Sequence, residues 1–259
     1  MKIEPNIAGL HARMLGAEDC HIWCADLSAS MSKLPLWEQS LSASERTQAA
    51  KFYFSEDRRT YAARHGILRQ ILAGYLARRP GEIRLVHDAN GKPRIDPSAN
   101  DIDLRFSLSR SAHVAVFAVV RHCEVGVDVE RVRDIPDWAS VAEWAFSERE
   151  LSALGDLPAE QRPHAFFQGW TRKEALLKCR GDGIVSGTRH VEVSLDSSNA
   201  PCLAGRRLRQ NRDLRDFVPE PGFAAAVAIE TAKARIVCRS WMDANNSPFA
   251  DPSRPNSLN

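Results

Sequence analysis

The stretch that most constrains this chain is Gly126-Val-Asp-Val-Glu130. It follows a run of apolar and β-branched residues, so it reads as the end of a strand. Side chains along a strand alternate with period two. Val125, Val127 and Val129 therefore share one face, and Asp128 and Glu130 share the other. Two neighbouring carboxylates at the end of a buried strand repel each other and lose hydration. A divalent cation relieves both penalties, and hard oxygen ligands suit Mg²⁺. A solvated edge strand carrying two surface acids fits the same residues.

A second feature lies at Trp170-Thr-Arg-Lys-Glu-Ala-Leu-Leu-Lys178. Its spacing predicts a helix, with Phe166, Trp170 and Leu177 on one apolar stripe. Glu174 and Lys178 are one turn apart and face the same way. Gly181-Asp-Gly183 follows as a helix stop. An ordinary amphipathic helix with a surface Glu–Lys pair accounts for this pattern. A functional reading makes Glu174 a third carboxylate for the metal, with Lys173 and Lys178 as cations for a phosphate.

Together, the Gly-Val-Asp-Val-Glu strand and the Trp-Thr-Arg-Lys-Glu-Ala-Leu-Leu-Lys helix ending in Gly-Asp-Gly resemble the paired signature of the 4′-phosphopantetheinyl transferases. The resemblance extends upstream to Gly91-Lys-Pro93 and Phe106-Ser-Leu-Ser-Arg-Ser111, and spans roughly Ser42 to Val193. The length is that of the larger, two-lobed, surfactin-synthetase-activating type, which primes polyketide and nonribosomal peptide synthetases. The resemblance implies an α+β fold: two similar lobes with pseudo-twofold symmetry, each a long helix packed on an antiparallel sheet. The cofactor would lie in the cleft between them.

The implied reaction moves 4′-phosphopantetheine from coenzyme A to a serine of an apo acyl or peptidyl carrier protein. It is Mg²⁺-dependent and releases adenosine 3′,5′-bisphosphate. By resemblance, Asp128, Glu130 and Glu174 hold the metal. Lys178 contacts the diphosphate, with Lys173 beside it, and Lys92 sits near the nucleotide phosphates. From its residues alone, Lys92 reads as a plain hairpin lysine. Ser109-Arg110 departs from the family pattern, which has histidine where Arg110 stands, reaching the 3′-phosphate. Arginine offers a permanent charge and a planar fork for the same phosphate. Arg59 is a further phosphate candidate by position, although a solvent-facing arginine fits equally well. Glu150 matches a family glutamate proposed as general base, yet Ser147-x-x-Glu150 is also a complete capping box. A metal-bound water polarised by Glu130 is the alternative base.

Two other functions use a similar set of residues. A Mg²⁺-dependent nuclease also needs grouped carboxylates and a lysine, but no basic stripe or base-stacking cluster accompanies them here. A non-catalytic carrier-binding module would not need the intact acidic and basic set.

The chain has 259 residues, of which 44% are hydrophobic and 26% charged, as in a soluble globular protein large enough for a real core. A formal net charge of +2 argues for neither nucleic acid nor membrane partners. The longest apolar run, Val114 to Val120, is too short to span a bilayer. The N-terminus lacks a signal-peptide pattern. The expectation is a cytoplasmic protein and, by analogy of length, a monomer. The six cysteines are then reduced rather than paired. Cys20-His21-x-x-Cys24 has no second ligand pair at zinc spacing.

The patterns along the chain predict a strand over 21–26 and a capping box at Ser42-x-x-Glu45. A long helix should run from Ser55 to about Arg78, ended by Pro80-Gly81. Strands are predicted at 83–87, 104–108 and 113–121, and irregular chain from Asp134 to Trp144. Further strands follow at 190–195, 214–218, 223–229 and 236–241. A degenerate repeat of a helix followed by strands suggests two lobes, 1–130 and 131–242, with a polar, disordered tail over 243–259.

Overall fold

The structure is a computed structural model that describes residues 15–134, 138–181, 188–195, 212–231 and 233–241. The tail expected over 243–259, and Asp182 and Gly183 of the helix stop, lie outside these residues.

Two sheets pack face to face, with a long helix on each outer side. The first sheet has the order β4-β5-β1-β9, built from Leu104–Ser111 (β4), Val114–Arg121 (β5), Asp19–Asp26 (β1) and Arg235–Trp241 (β9). The second has the order β6-β8-β7, from Val125–Arg131 (β6), Phe223–Ile229 (β8) and Asp213–Phe217 (β7). A small hairpin of Leu85–His87 (β2) and Pro93–Ile95 (β3) stands apart.

The layering follows from period-two alternation. Trp23, Phe117 and Val119 point outward from the first sheet and meet Ile67, Leu68, Ile71 and Leu72 of the helix Ser55–Leu76. On the opposite faces, Ile22, Val116 and Ala118 meet Val125, Val127, Val129, Val227 and Ile229 of the second sheet. That inter-sheet core is where the three valines of the acidic strand are buried. Ala224, Ala226 and Ala228 then face outward, onto the helix Arg162–Arg180.

The helices, in chain order, are α1 Leu34–Ser40, α2 Ala43–Ala50, α3 Ser55–Leu76, α4 Trp138–Ala145, α5 Glu148–Asp156 and α6 Arg162–Arg180. Both capping boxes form: Ser42 with Glu45 and Ser147 with Glu150. None of the described helices is long and apolar enough to cross a membrane.

Several expectations need correction. The sheets exchange strands across the expected lobe boundary at residue 130. β6 pairs antiparallel with β8 in the second sheet, while β9, from the end of the chain, pairs with β1 in the first. That last pairing is parallel, so the first sheet is mixed rather than purely antiparallel. Residues 138–145 form a helix where irregular chain was expected. Val141 and Trp144 are exposed while Ala142 and Ala145 are buried, so no single apolar stripe marks it. The helix α3 ends at Ala77, in the left-handed region at φ 50°, before Pro80. Over 190–195 the described residues hold an isolated bridge at Val193 in place of the expected strand. Val191, Val193 and Leu195 are buried at alternate positions, and the Val193 N–H donates to Glu150 Oε1 at 2.8 Å.

Candidate active site

The candidate site lies where the edges of the two sheets meet. β4 ends the first sheet and β6 ends the second. An edge strand exposes backbone N–H groups that need partners. Here serines of β4 supply them. Ser107 Oγ accepts from the Val127 N–H at 3.1 Å, and Ser111 Oγ from the Arg131 N–H at 3.0 Å. Ser107, Ser109 and Ser111 share one face of β4 by the period of two. The same serines aim the acids of β6. Ser109 Oγ donates to Asp128 Oδ1, and Ser111 Oγ to Glu130 Oε2, both at 2.6 Å.

The helix α6 crosses β6 at Gly126. A Cβ there would lie 2.0 Å from the Ala175 carbonyl oxygen and 2.3 Å from the Cys179 nitrogen. Only glycine allows that approach. It brings Glu174 and Lys178, one turn apart on the helix, beside the acids. Lys178 Nζ donates to Asp128 Oδ1 at 2.6 Å and to Ser109 Oγ at 3.1 Å.

The cluster carries unrelieved negative charge. Burial pushes the Glu130 carboxyl up, Ser111 opposes this, and Asp128 adds to it. Burial likewise raises Glu174; Lys178 opposes, and both Asp128 and Glu130 reinforce the rise. Asp128 Oδ2 and Glu174 Oε1 are buried and accept no hydrogen bond. Two orphaned, buried carboxylate oxygens and a third acid nearby are the hard donors a divalent cation takes. In donor chemistry Asp128, Glu130 and Glu174 fit Mg²⁺. They do not form a closed cage: among the described residues no three His, Cys, Asp or Glu side chains converge tightly enough to hold an ion as they stand. The Lys178 ammonium lies on the Asp128 oxygen instead.

A cavity of about 270 Å³ adjoins this cluster. Its walls include Asn90, Lys92 and Pro93 on one side and Glu174, Lys178 and Gly181 on the other.

The structure separates other expected residues from the cluster. Lys173 follows α6 around by one residue, about 100° from Glu174, and points elsewhere. It is fully buried and donates to Glu150 Oε2 at 2.6 Å, the Ala145 carbonyl at 3.0 Å and the Thr188 carbonyl at 3.2 Å. The expectation that Lys173 lies beside the diphosphate is therefore corrected. Glu150 is buried as well, and its oxygens are taken by Lys173, the Ser147 N–H and the Val193 N–H. These bonds favour the capping-box reading of Glu150 over the general base. Lys92 lines the cavity with its stem, but its ammonium donates to Glu124 Oε2 at 2.7 Å. Arg59 is exposed on α3, with no hydrogen bond or ion pair joining it to the cluster among the described residues. Arg110 is exposed next to Ser109, with Nη1 donating to the Ala112 carbonyl at 3.2 Å.

Sequence reasoning missed Arg64. Burial lowers its pKa and the nearby charge of Arg110 lowers it further; its Nε is buried without a partner. The signal was present as Arg64-His65 interrupting the apolar run of α3.

A helix-covered seam of two sheets, with grouped carboxylates, a lysine and an adjoining cavity, has the make-up of a site for a charged ligand. Comparison with known proteins makes this specific. A family model described as 4′-phosphopantetheinyl transferase, N-terminal, matches residues 27–122, and one described as 4′-phosphopantetheinyl transferase superfamily matches residues 124–228. The chain is 36% identical over 213 residues to 4′-phosphopantetheinyl transferase HetI of Nostoc sp., covering 82% of this chain and 88% of that protein. It is 24% identical over 197 residues to 4′-phosphopantetheinyl transferase ffp of Bacillus subtilis, covering 72% and 81%. A crystal structure of Thermotoga maritima holo-[acyl-carrier-protein] synthase overlaps at a TM-score of 0.35 with 22% identity, covering 43% of this chain and 64% of that one, too loosely to argue from. The chain belongs to the 4′-phosphopantetheinyl transferase superfamily. It is an enzyme that transfers the 4′-phosphopantetheinyl group to a carrier protein, which decides against the nuclease and the non-catalytic module.

Proposed function

We propose that the cavity beside Glu174 and Lys178 takes coenzyme A, with its diphosphate at the Asp128–Glu130–Glu174 cluster. The observation that carries this reading is the pair of orphaned buried oxygens, Asp128 Oδ2 and Glu174 Oε1. Asp128, Glu130 and Glu174 would hold Mg²⁺, which when bound neutralises diphosphate charge as the P–O bond breaks. Lys178 leaves Asp128 for a diphosphate oxygen and steadies the departing charge. Ser109 keeps Asp128 oriented. Arg110, with Arg64 behind it, supplies positive charge for the 3′-phosphate.

The acceptor is the hydroxyl of a carrier serine. Its oxygen bonds to the β-phosphorus, the P–O bond to the adenosine side breaks, and adenosine 3′,5′-bisphosphate leaves. The hydroxyl proton passes to a water polarised by Glu130, and from there to solvent. The same reading makes the enzyme a cytoplasmic monomer acting on acyl or peptidyl carriers. The test is to incubate it with a panel of apo carriers, coenzyme A and Mg²⁺, and weigh the products. Mass gain of one phosphopantetheine, lost with a chelator and restored by Mg²⁺, is expected; Mg²⁺-independent gain would remove the metal from the reading.

A further inference from the structure

Glu124 immediately precedes β6 and takes no part in the carboxylate cluster, yet three cations converge on it. Lys92 Nζ reaches Oε2, and Arg94 Nη1 and Arg105 Nη1 both reach Oε1, each at 2.7 Å. Lys92 Nζ also donates to the Val125 carbonyl at 3.1 Å. Arg94 and Arg105 have second acids, Asp88 at 2.9 Å and Asp103 at 2.8 Å. Lys92 forms its ion pair with Glu124. Burial pushes the Glu124 carboxyl up, but Arg94 and Lys92 outweigh it and hold it below the ordinary range.

The turn between β2 and β3 is fastened at a second point. Asn90 Nδ2 donates to the carbonyl of Gly181 at 2.7 Å, the residue that caps α6. Asp88 Oδ1 organises the turn itself, accepting from the N–H groups of Asn90 and Lys92 at 3.0 Å each. The hairpin thus bridges the start of β6 and the end of α6. Its residues form the cavity wall that faces Glu174 and Lys178. Two anchors fix that wall, and Glu124 is the charged one.

We propose that Glu124 is a positioning residue for coenzyme A: it clamps the 88–94 hairpin against β6, so that this wall of the cleft is set before the substrate arrives. The proposal rests on the reading that the cleft takes coenzyme A. Glu124 touches no reacting atom. A preset wall lowers the ordering cost of binding and leaves the bond-breaking step alone. Its loss therefore appears in KM and not in kcat.

The experiment combines transfer kinetics with calorimetric binding of adenosine 3′,5′-bisphosphate. Glu124→Gln removes the charge while keeping the shape. It should raise KM for coenzyme A and Kd for the bisphosphate about tenfold, with kcat and the carrier KM within about twofold. Glu124→Asp, which keeps the charge, should recover part of the loss. Arg94→Gln loosens the same clamp from the hairpin side, and carries the same test if Glu124→Gln does not fold. An unchanged bisphosphate Kd, or a fall in kcat at unchanged KM, overturns the proposal. Failure of the unaltered enzyme to bind the bisphosphate overturns the cleft reading itself.

Discussion

Lys178 donates its ammonium to Asp128 at 2.6 Å across the seam between β6 and α6. Ser109 Oγ donates to the same Asp128 oxygen, Oδ1, at 2.6 Å. A buried carboxylate with a charged partner on one oxygen and nothing on the other is an unbalanced arrangement. In the folded chain Lys178 offsets part of the charge that a divalent ion would offset fully.

Asp128→Asn tests this directly. The amide keeps the shape and the Ser109 bond but neither neutralises Lys178 nor binds a hard cation well. Transfer should fall by about a thousandfold or more, as for loss of a group that acts at the transition state. The folded state should survive, since the variant removes a buried charge from a crowd of acids. Carrier mass analysis reads the first effect and thermal unfolding in chelator the second. Activity within about tenfold of the parent would contradict the assignment.

Gly126→Ala tests how the helix is held to the strand. The new methyl would meet backbone atoms of Ala175 and Cys179 at 2.0 and 2.3 Å, and backbone cannot rotate aside. Either α6 moves or the fold weakens, at a cost of about 3 kcal/mol. Urea unfolding should show that loss. Transfer should drop even where the variant is folded, because Glu174 and Lys178 move with the helix. Parent-like stability together with parent-like activity would mean the close crossing does not exist.

Much of this site was legible in the sequence because it obeys short periods. The alternation in Gly126-Val-Asp-Val-Glu130 assigns valines to the core and acids to the seam. The four-residue step from Glu174 to Lys178 puts both on one helix face. Charges in the same motifs whose partners lie far along the chain were not legible. Lys173 adjoins Glu174 in sequence, but a step of one residue turns it towards Glu150, 23 residues away. Lys92 looked like a free hairpin lysine until Glu124 was found 32 residues on. The parallel pairing of β9 with β1 joins chain ends more than 200 residues apart, and no local pattern encodes it. The serine ladder was visible as Ser107-Leu-Ser-Arg-Ser111, but its role depends on which strand edge stands opposite.

Lys173→Met separates a structural ion pair from a catalytic one. Lys173 is fully buried, its ammonium lies 4.8 Å from the centre of the Phe146 ring, and burial lowers its pKa while Glu150 opposes that. Removing it leaves Glu150 as an unpaired buried acid, at a cost of about 3–5 kcal/mol. Lys173→Met with Glu150→Met should recover much of that stability, since a buried pair is often replaceable by apolar residues. If the pair is structural, the double variant keeps measurable transfer with near-parent KM for coenzyme A. A stable double variant with no transfer would return Glu150 to the reaction.

Glu45 gives the chain an acid-sensitive joint between α2 and α3. It closes the capping box of α2 and also accepts from Arg69 Nε on α3 at 2.7 Å. Burial pushes its carboxyl up, but His65, the Ser42 N–H and Arg69 outweigh this and hold it at about 2. Its ordinary value is 4.5, so the folded state releases this proton more readily than the unfolded state. The resulting stability is fully present above that ordinary value and is lost as pH falls towards about 2. Glu45→Gln keeps the capping box, because glutamine serves at that position, and removes only the charge. It should cost about 2–3 kcal/mol at neutral pH. The gap from the parent should narrow as pH falls below the ordinary glutamate value, because protonation then removes the parent's charge too. Denaturant unfolding at a series of pH values measures that gap. A difference that stays constant down the acid limb would show that the Arg69 and His65 contacts do not set the stability of this joint.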